Sequence, residues 1–320
     1  MSTRIGLLIV IPLQPVVLQA LQQRCDVIYA PKGYADPVLL TVTPGQRASV
    51  SVLLSNGSTG ASAAQMERWP RLRLIHAFGA GYEGIDVKAA CALGIEVSHA
   101  PGVNNATVAD HALALMLGAA RGIAPLDRAV KAGAWLHHRA ARPSVNGRSI
   151  GLVGMGNIGQ QIARRAQGFD MYISYHSRQA RVDMPYRYVP SLLQLAQSVD
   201  FLMLACPGGP ATRHLVNRQV LRALGPEGFL INVARGSVVN TEDLIAALKA
   251  GEIAGAALDV LEDEPDVPQA LLGMEQVLLT PHISGRSPEA QEAQLRAFES
   301  NMAACIAGGI PPNQVPGAGT

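Results

Sequence analysis

Three polar residues stand just past three apolar runs in the second half of the chain. Arg235 follows FLINVA, Glu264 lies a few residues beyond AGAALDV, and His282 follows VLLTP. A guanidinium that never loses its proton can grip a carboxylate and polarise a neighbouring carbonyl. An imidazole backed by a carboxylate is held in one orientation, with its pKa raised from about 6.5, and can give a proton to a carbonyl oxygen or take one from an alcohol. Together these types suit the interconversion of a 2-oxo acid and a 2-hydroxy acid.

Such chemistry needs a hydride carrier, and SIGLVGMGNIGQQIARRA supplies its cradle. Gly154, Gly156 and Gly159 have the G-x-G-x-x-G spacing directly after the apolar run Ile150–Val153, and Met155, Asn157 and Ile158 fill the loop. The following stretch carries Ile158, Ile162, Ala163 and Ala166 on one helical face. In this strand-turn-helix context the first glycine permits the tight turn, the second lets backbone approach a pyrophosphate, and the third lets helix and strand pack closely, with free amides facing the phosphates.

The second strand of such a unit commonly ends in an acid that takes the ribose hydroxyls of NAD. Here MYISYHSRQAR has His176, Ser177 and Arg178 instead. A carboxylate would repel a 2′-phosphate, whereas serine donates a hydrogen bond and arginine makes charge-assisted contacts to phosphate. NADP(H) is therefore the favoured cofactor, and NAD(H) stays open as the alternative.

These residues are positioned by two α/β halves. Short apolar runs alternate with helix-like stretches over residues 1–98 and again, more strongly, from Ser149 to Thr280. This rhythm predicts parallel sheets, because parallel strands need crossover connections. Residues beyond the carboxyl ends of parallel strands line one crevice, which gathers Arg235, Glu264 and His282 near the glycine loop. Asn105–Arg121 reads as a long Ala/Leu-rich helix at a domain junction, and an amphipathic helix from Pro288 to about Ile306 returns to the first domain before a Pro/Gly-rich strap. The expected fold class is α/β: two Rossmann-like doubly wound parallel-sheet domains with an active-site cleft between them. Residues 1–98 plus 288–320 form the substrate domain and residues 99–287 the dinucleotide-binding domain.

Composition narrows the partners. The 320 residues hold 26 Lys and Arg against 24 Asp and Glu, and a net charge of +2 cannot drive binding to nucleic acid or an anionic membrane. The apolar start Ile5–Leu21 is interrupted by Pro12, Gln14, Pro15 and Gln19, so it reads as strand then helix rather than a span or leader. Cys25, Cys91, Cys206 and Cys305 are scattered, with no metal-binding spacing; no metal site is expected, and a reducing cytoplasm fits. Charged residues make up 16%, below the usual share of about 25%, so part of the surface is expected to be buried between subunits, most simply in a homodimer.

The strings GLVGMGNIGQQIA, NVARGSVVNTEDLIAAL, GAALDVLEDEP and LLTPHISG, with PGVNNATVADHALALML and FGAGYEGID before them, resemble the D-isomer-specific 2-hydroxyacid dehydrogenase family over nearly the full length. The resemblance implies that Arg235, Glu264 and His282 are the catalytic set and that Asp259 binds the nicotinamide carboxamide. It implies that Cys206, Pro207, Val233 and Ala234 line the cofactor cleft mainly through backbone, with Thr212 nearby. The family's substrate loop falls on Phe78, Gly79, Ala80, Gly81 and Tyr82, where the amides of Ala80 and Gly81 would take the substrate carboxylate.

Three departures stand out. HSR replaces the acid after the second strand, as in NADPH-preferring glyoxylate and hydroxypyruvate reductases. CPGGPATRH places two glycines after Pro207, where the family often has Pro-x-Thr-x-x-Thr. Asp110 stands where relatives often have Glu. Trp135 with His137, His138 and Arg139 reads either as an arm embracing a second subunit or as a solvated basic loop. The favoured substrates are glyoxylate and hydroxypyruvate; the alternatives are a bulkier 2-oxo acid or a dinucleotide-gated corepressor-like binding protein. Formate or phosphite oxidation fits less well, since formate enzymes of this fold pair their histidine with glutamine.

Overall fold

The computed structural model describes residues 4–136 and 139–317. The chain divides into two compact units, residues 1–104 with 287–320, and residues 105–286. The division falls six residues beyond the expected boundary at 98, at the start of the helix Asn105–Arg121.

In the first unit, β1 (Ile5–Ile9), β2 (Cys25–Tyr29), β3 (Val50–Ser55), β4 (Leu74–Ala77) and β5 (Glu96–His99) form a parallel sheet ordered β2-β1-β3-β4-β5. Side chains alternate across a strand, and the sheet is apolar on both faces. Leu7 and Ile9 of β1 join one buried cluster while Leu8 joins the other. The helix Pro288–Ile306 covers one face with Phe298, Met302 and Cys305. The tail then lies along the sheet edge, where the Val315 amide donates to Val97 and Val315 is buried. Expected as a surface strap, the tail is largely exposed over residues 307–317 but inserts Val315 into this unit's core.

The second unit holds β6 (Ser149–Val153), β7 (Tyr172–His176), β8 (Arg187–Tyr188), β9 (Phe201–Leu204), β10 (Phe229–Asn232), β11 (Gly255–Leu258) and β12 (Val277–Leu279). All pair in parallel in the order β12-β11-β10-β9-β6-β7-β8. The alternation repeats: Phe201 and Met203 of β9 face one core, Leu202 and Leu204 the other. The strand order reverses at β6, between β7 and β9, which opens a crevice at the carboxyl ends of those strands. The helix Asn105–Arg121 buries Val108, Ala109, Ala112, Leu113 and Met116 in this unit's core. Asp110 on its exposed side pairs with Arg165 of the helix that follows the glycine loop.

Candidate active site

Each expected site segment of the second unit follows the carboxyl end of a strand. The glycine loop follows β6, His176–Arg178 closes β7, Cys206 and Pro207 follow β9, Arg235 follows β10, Asp259 and Glu264 follow β11, and His282 follows β12.

The glycine loop is shaped for a ligand. Gly154 has φ 101°, and a Cβ there would lie 2.8 Å from the Ala205 carbonyl oxygen. A Cβ on Gly159 would lie 2.2 Å from the Gly154 carbonyl oxygen. A Cβ on Gly156 would meet no protein atom within 4 Å, so the open side of the loop is the one the pyrophosphate reading requires. The helix Asn157–Ala166 begins there without a side-chain cap, leaving its first amides to an anion. These residues fit a dinucleotide.

Around the end of β7, His176 Nδ1 lies 3.0 Å from the Val189 carbonyl, and the Ser177 hydroxyl donates to the Gln179 carbonyl at 2.6 Å. Ser177 must therefore turn to donate to a ligand. Arg178 is exposed and has no ion-pair partner among the described residues. Beyond β9, burial pushes the Cys206 thiol up to about 11, which keeps it neutral. The Thr212 hydroxyl donates to the Pro207 carbonyl at 2.8 Å and closes the glycine-containing loop on itself. Val233 and Ala234 are buried, which leaves mainly their backbone to line a cleft.

The turn that launches Arg235 is clipped by Asn232. This buried side chain accepts from the Ala234 amide at 3.0 Å and donates to the Arg235 carbonyl at 3.0 Å. Arg235 Nη1 donates to the Ala234 carbonyl at 2.8 Å. Gly208 explains one departure from the family pattern: a Cβ there would lie 2.6 Å from Arg235 Cγ, so the glycine makes room for the arginine stem.

Glu264 and His282 are brought together. Glu264 Oε2 lies 2.7 Å from His282 Nδ1, and Oε1 accepts from the Leu261 amide at 3.0 Å. Burial raises the Glu264 pKa, but its bonds to His282 and Leu261 outweigh that and hold it below the usual carboxylate range. His282 Nε2 has no partner among the described residues, so with Nδ1 committed to the carboxylate it is the atom open to proton exchange. Arg235 and His282 leave strands two apart, so their backbones emerge about 10 Å from each other along the sheet edge, within reach of one small ligand.

Asp259, which the resemblance assigns to the nicotinamide carboxamide, is fully enclosed and also holds the turn around His282. Its carboxylate accepts from the Thr280 hydroxyl at 2.6 Å and from the Ile283 and Ser284 amides at 2.9 Å each. His111 Nε2 lies 3.0 Å from the Thr280 hydroxyl and 3.5 Å from Asp259. Burial works against the charged form, but these bonds prevail and hold the carboxyl well below the ordinary range. The network ties down the turn at His282, whose φ of 51° is the left-handed region that a non-glycine residue rarely adopts. Asn232, Thr280 and His111 were missed by sequence reasoning. Only the position of Thr280, two residues before His282, offered a signal.

In the first unit, the loop Phe78–Gly81 leaves the carboxyl end of β4. The Gly79 carbonyl accepts from Ala100, and the Ala80 carbonyl lies 2.8 Å from His99 Nδ1. The amides of Ala80 and Gly81 donate to nothing among the described residues, so they form a free pair suited to an anion. Of the expected arm, Trp135 is exposed, and His137 and His138 lie outside the described residues.

Comparison with known proteins gives this geometry a family. Residues 113–284 match the model of the D-isomer specific 2-hydroxyacid dehydrogenase NAD binding domain. The chain is 36% identical to glyoxylate/hydroxypyruvate reductase A of Arabidopsis thaliana, over 95% of this chain and 96% of that one. It is 42% identical to a glyoxylate reductase of Pyrococcus furiosus over 78% and 77%. The chain belongs to the D-isomer specific 2-hydroxyacid dehydrogenase family. Among solved structures, an NADPH-dependent glyoxylate/hydroxypyruvate reductase from Sinorhizobium meliloti, in complex with NADP and malonate, superposes with a TM-score of 0.88 at 36% identity, covering 99% of this dehydrogenase and 98% of that chain. The protein is thus an oxidoreductase of 2-hydroxy acids that uses a nicotinamide dinucleotide. No helix among the described residues is long and apolar enough to cross a membrane.

Proposed function

We propose that this dehydrogenase is an NADPH-preferring reductase of small 2-oxo acids, with glyoxylate and hydroxypyruvate as substrates and glycolate and D-glycerate as products. The observation that carries the reading is the Glu264–His282 pair, 2.7 Å apart with His282 Nε2 unpartnered, on the strand edge from which Arg235 also emerges. When bound at the glycine loop, the reduced dinucleotide supplies the hydride. Arg235 holds the substrate carboxylate and polarises the carbonyl. His282, oriented by Glu264, gives an Nε2 proton to the carbonyl oxygen, and takes one back from the alcohol in the reverse direction. In the first unit, the amides of Ala80 and Gly81, unused among the described residues, are suited to a carboxylate.

The preference for NADPH rests on the missing acid after β7 and on Ser177 and Arg178 in its place. A homodimer is supported by the helix Ile123–Lys131, which buries none of its residues and leaves Ile123 and Val130 exposed near Trp135 and Leu136. Four free cysteines and the absence of a strong net charge fit a cytoplasmic enzyme without a nucleic-acid partner. Initial rates with NADPH and NADH across glyoxylate, hydroxypyruvate, pyruvate and phenylpyruvate test the reading. Highest kcat/KM is expected with NADPH and with glyoxylate and hydroxypyruvate. Failure to turn over glyoxylate and hydroxypyruvate would overturn the substrate assignment, and a preference for phenylpyruvate would move it to a bulkier 2-oxo acid.

A further inference from the structure

In the loop after β4 the direction of the two unused amides is set from behind. The Phe78 amide donates to the Ser55 carbonyl and the Gly79 amide to the Ala77 carbonyl, each at 2.8 Å, whereas those of Ala80 and Gly81 donate to nothing among the described residues. A trans peptide is planar, with its N–H directed opposite to its carbonyl. The Ala80 amide therefore takes its direction from the Gly79 carbonyl, and the Gly81 amide from the Ala80 carbonyl. Both carbonyls are held from the end of β5. The Ala100 amide donates to Gly79 at 2.7 Å, and His99 Nδ1 lies 2.8 Å from the Ala80 carbonyl, an acceptor, so this nitrogen carries the hydrogen. One hold is backbone; the other is an imidazole to which neither the catalytic set nor the substrate loop gave a task.

We propose that His99 is a positioning residue that aims the Gly81 amide at the substrate carboxylate. The inference rests on the reading of Phe78–Gly81 as the substrate loop and deepens it by naming what orients its amides. The imidazole is fixed at its root and at its ring. The His99 amide donates to the Asn313 carbonyl of the tail at 3.1 Å, and on the other side His99 pairs with Ala77 across β4 and β5. The Tyr82 ring meets the imidazole edge to face, with centroids 5.2 Å apart and planes at 82°. Held in this way, Nδ1 draws the Ala80 carbonyl toward β5, and the Gly81 N–H points away from β5, open to an anion. Without that donor the Ala80–Gly81 peptide is free to turn its carbonyl to water, and a carboxylate then loses one charge-assisted bond. The Ala80 amide keeps its aim, because Ala100 holds the Gly79 carbonyl whatever side chain stands at position 99. The substrate carboxylate does not react, so the lost bond weakens the ground and transition states alike, and the effect falls on KM rather than kcat.

The experiment compares the wild type with His99→Leu, which keeps an apolar contact for Tyr82 but has no donor, and with His99→Asn, whose amide nitrogen stands at the same point of the side chain as Nδ1. Steady-state reduction of glyoxylate is measured beside the amide resonances of Ala80 and Gly81 in the 15N-labelled enzyme, loaded with NADP and titrated with oxalate. In His99→Leu the KM for glyoxylate should rise by about 10-fold, the loss of one hydrogen bond to a charged group, with kcat and the NADPH dissociation constant nearly unchanged. His99→Asn should restore KM. Oxalate should move both resonances in the wild type and in His99→Asn, and only that of Ala80 in His99→Leu. An unaltered KM in His99→Leu, an equal rise in His99→Asn, or a Gly81 response that survives in His99→Leu overturns the inference. A wild type whose two amides ignore bound oxalate overturns the substrate-loop reading, and the inference with it. If glyoxylate is not turned over, the substrate reading fails alone, and the oxalate titration still decides the role of His99.

Discussion

Gly208→Ala asks whether Arg235 works from the position in which the fold holds it. The added Cβ would lie 2.6 Å from Arg235 Cγ and 3.3 Å from its Cβ. Carbon atoms rest about 3.5–4.0 Å apart, so the stem must move by about 1 Å. Asn232 fixes the backbone on both sides of the arginine, which leaves rotation of the side chain as the means of relief. A shift of about 1 Å in a group that positions substrate lowers the rate by about 10²-fold, or about 2.7 kcal/mol of transition-state stabilisation. The assay is kcat/KM for glyoxylate at saturating NADPH, beside a titration of dinucleotide affinity, which Arg235 does not set. We expect kcat/KM to fall by between about 10-fold and 100-fold, mostly through KM, because the carboxylate grip is weakened in the ground state as well. If Gly208→Ala retained wild-type kcat/KM, the packing of Gly208 on Arg235 would have no part in catalysis. An equal loss of dinucleotide affinity would point instead to collapse of the 206–212 loop.

Three further outcomes follow from the same structure. His282→Ala should lower kcat by about 10²–10⁴-fold while NADPH binding persists, as expected for loss of general acid–base catalysis; an unaltered turnover number would remove it as the proton donor. Asp259→Asn replaces a buried carboxylate that accepts three bonds, and should cost about 1–3 kcal/mol of stability, measured by urea unfolding, together with a loss of kcat as the turn at His282 loosens. In the first unit, burial and the neighbouring His99 push the His76 imidazole down to about 3, so it folds neutral. Its contribution is complete above the unfolded pKa of about 6.5 and is lost as pH falls towards the folded value, roughly 2 kcal/mol between pH 7 and pH 5. His76→Gln should flatten that slope, followed by the fluorescence of the buried Trp69, and identical slopes would show that His76 is protonated in the folded state.

The strand ends were legible because each is a continuous apolar run, and a parallel sheet buried on both faces demands that pattern. Arg235, Glu264 and His282 could therefore be assigned to one edge from spacing alone. The two-residue strand Arg187–Tyr188 was not legible, having one exposed side chain and no hydrophobic run to announce it. His99 was hidden for another reason: 19 positions separate it from Ala80, and only the pairing of β4 with β5 brings them together. The glycines after Pro207 could be seen as an anomaly, but the reason for Gly208 is an arginine stem that arrives from another strand. At Asp259 the resemblance named a cofactor contact, but no sequence signal announced the bonds by which its carboxylate holds the turn that shapes His282.

The helix Pro288–Ile306 covers a face of the sheet that is otherwise complete at His99. During biosynthesis these two segments are separated by roughly 200 residues, which at ribosomal speeds of about 5–20 residues per second is an interval of about 10–40 s. For that time Leu7, Ile9, Val52 and Leu54 are covered only in part, by Val17 and Leu21 of the helix Pro15–Arg24, while the second unit, contiguous in the chain, can finish folding. The nascent polypeptide therefore carries an adhesive surface that chaperones must shield until translation reaches Phe298, and premature termination before that codon would yield a product prone to aggregate.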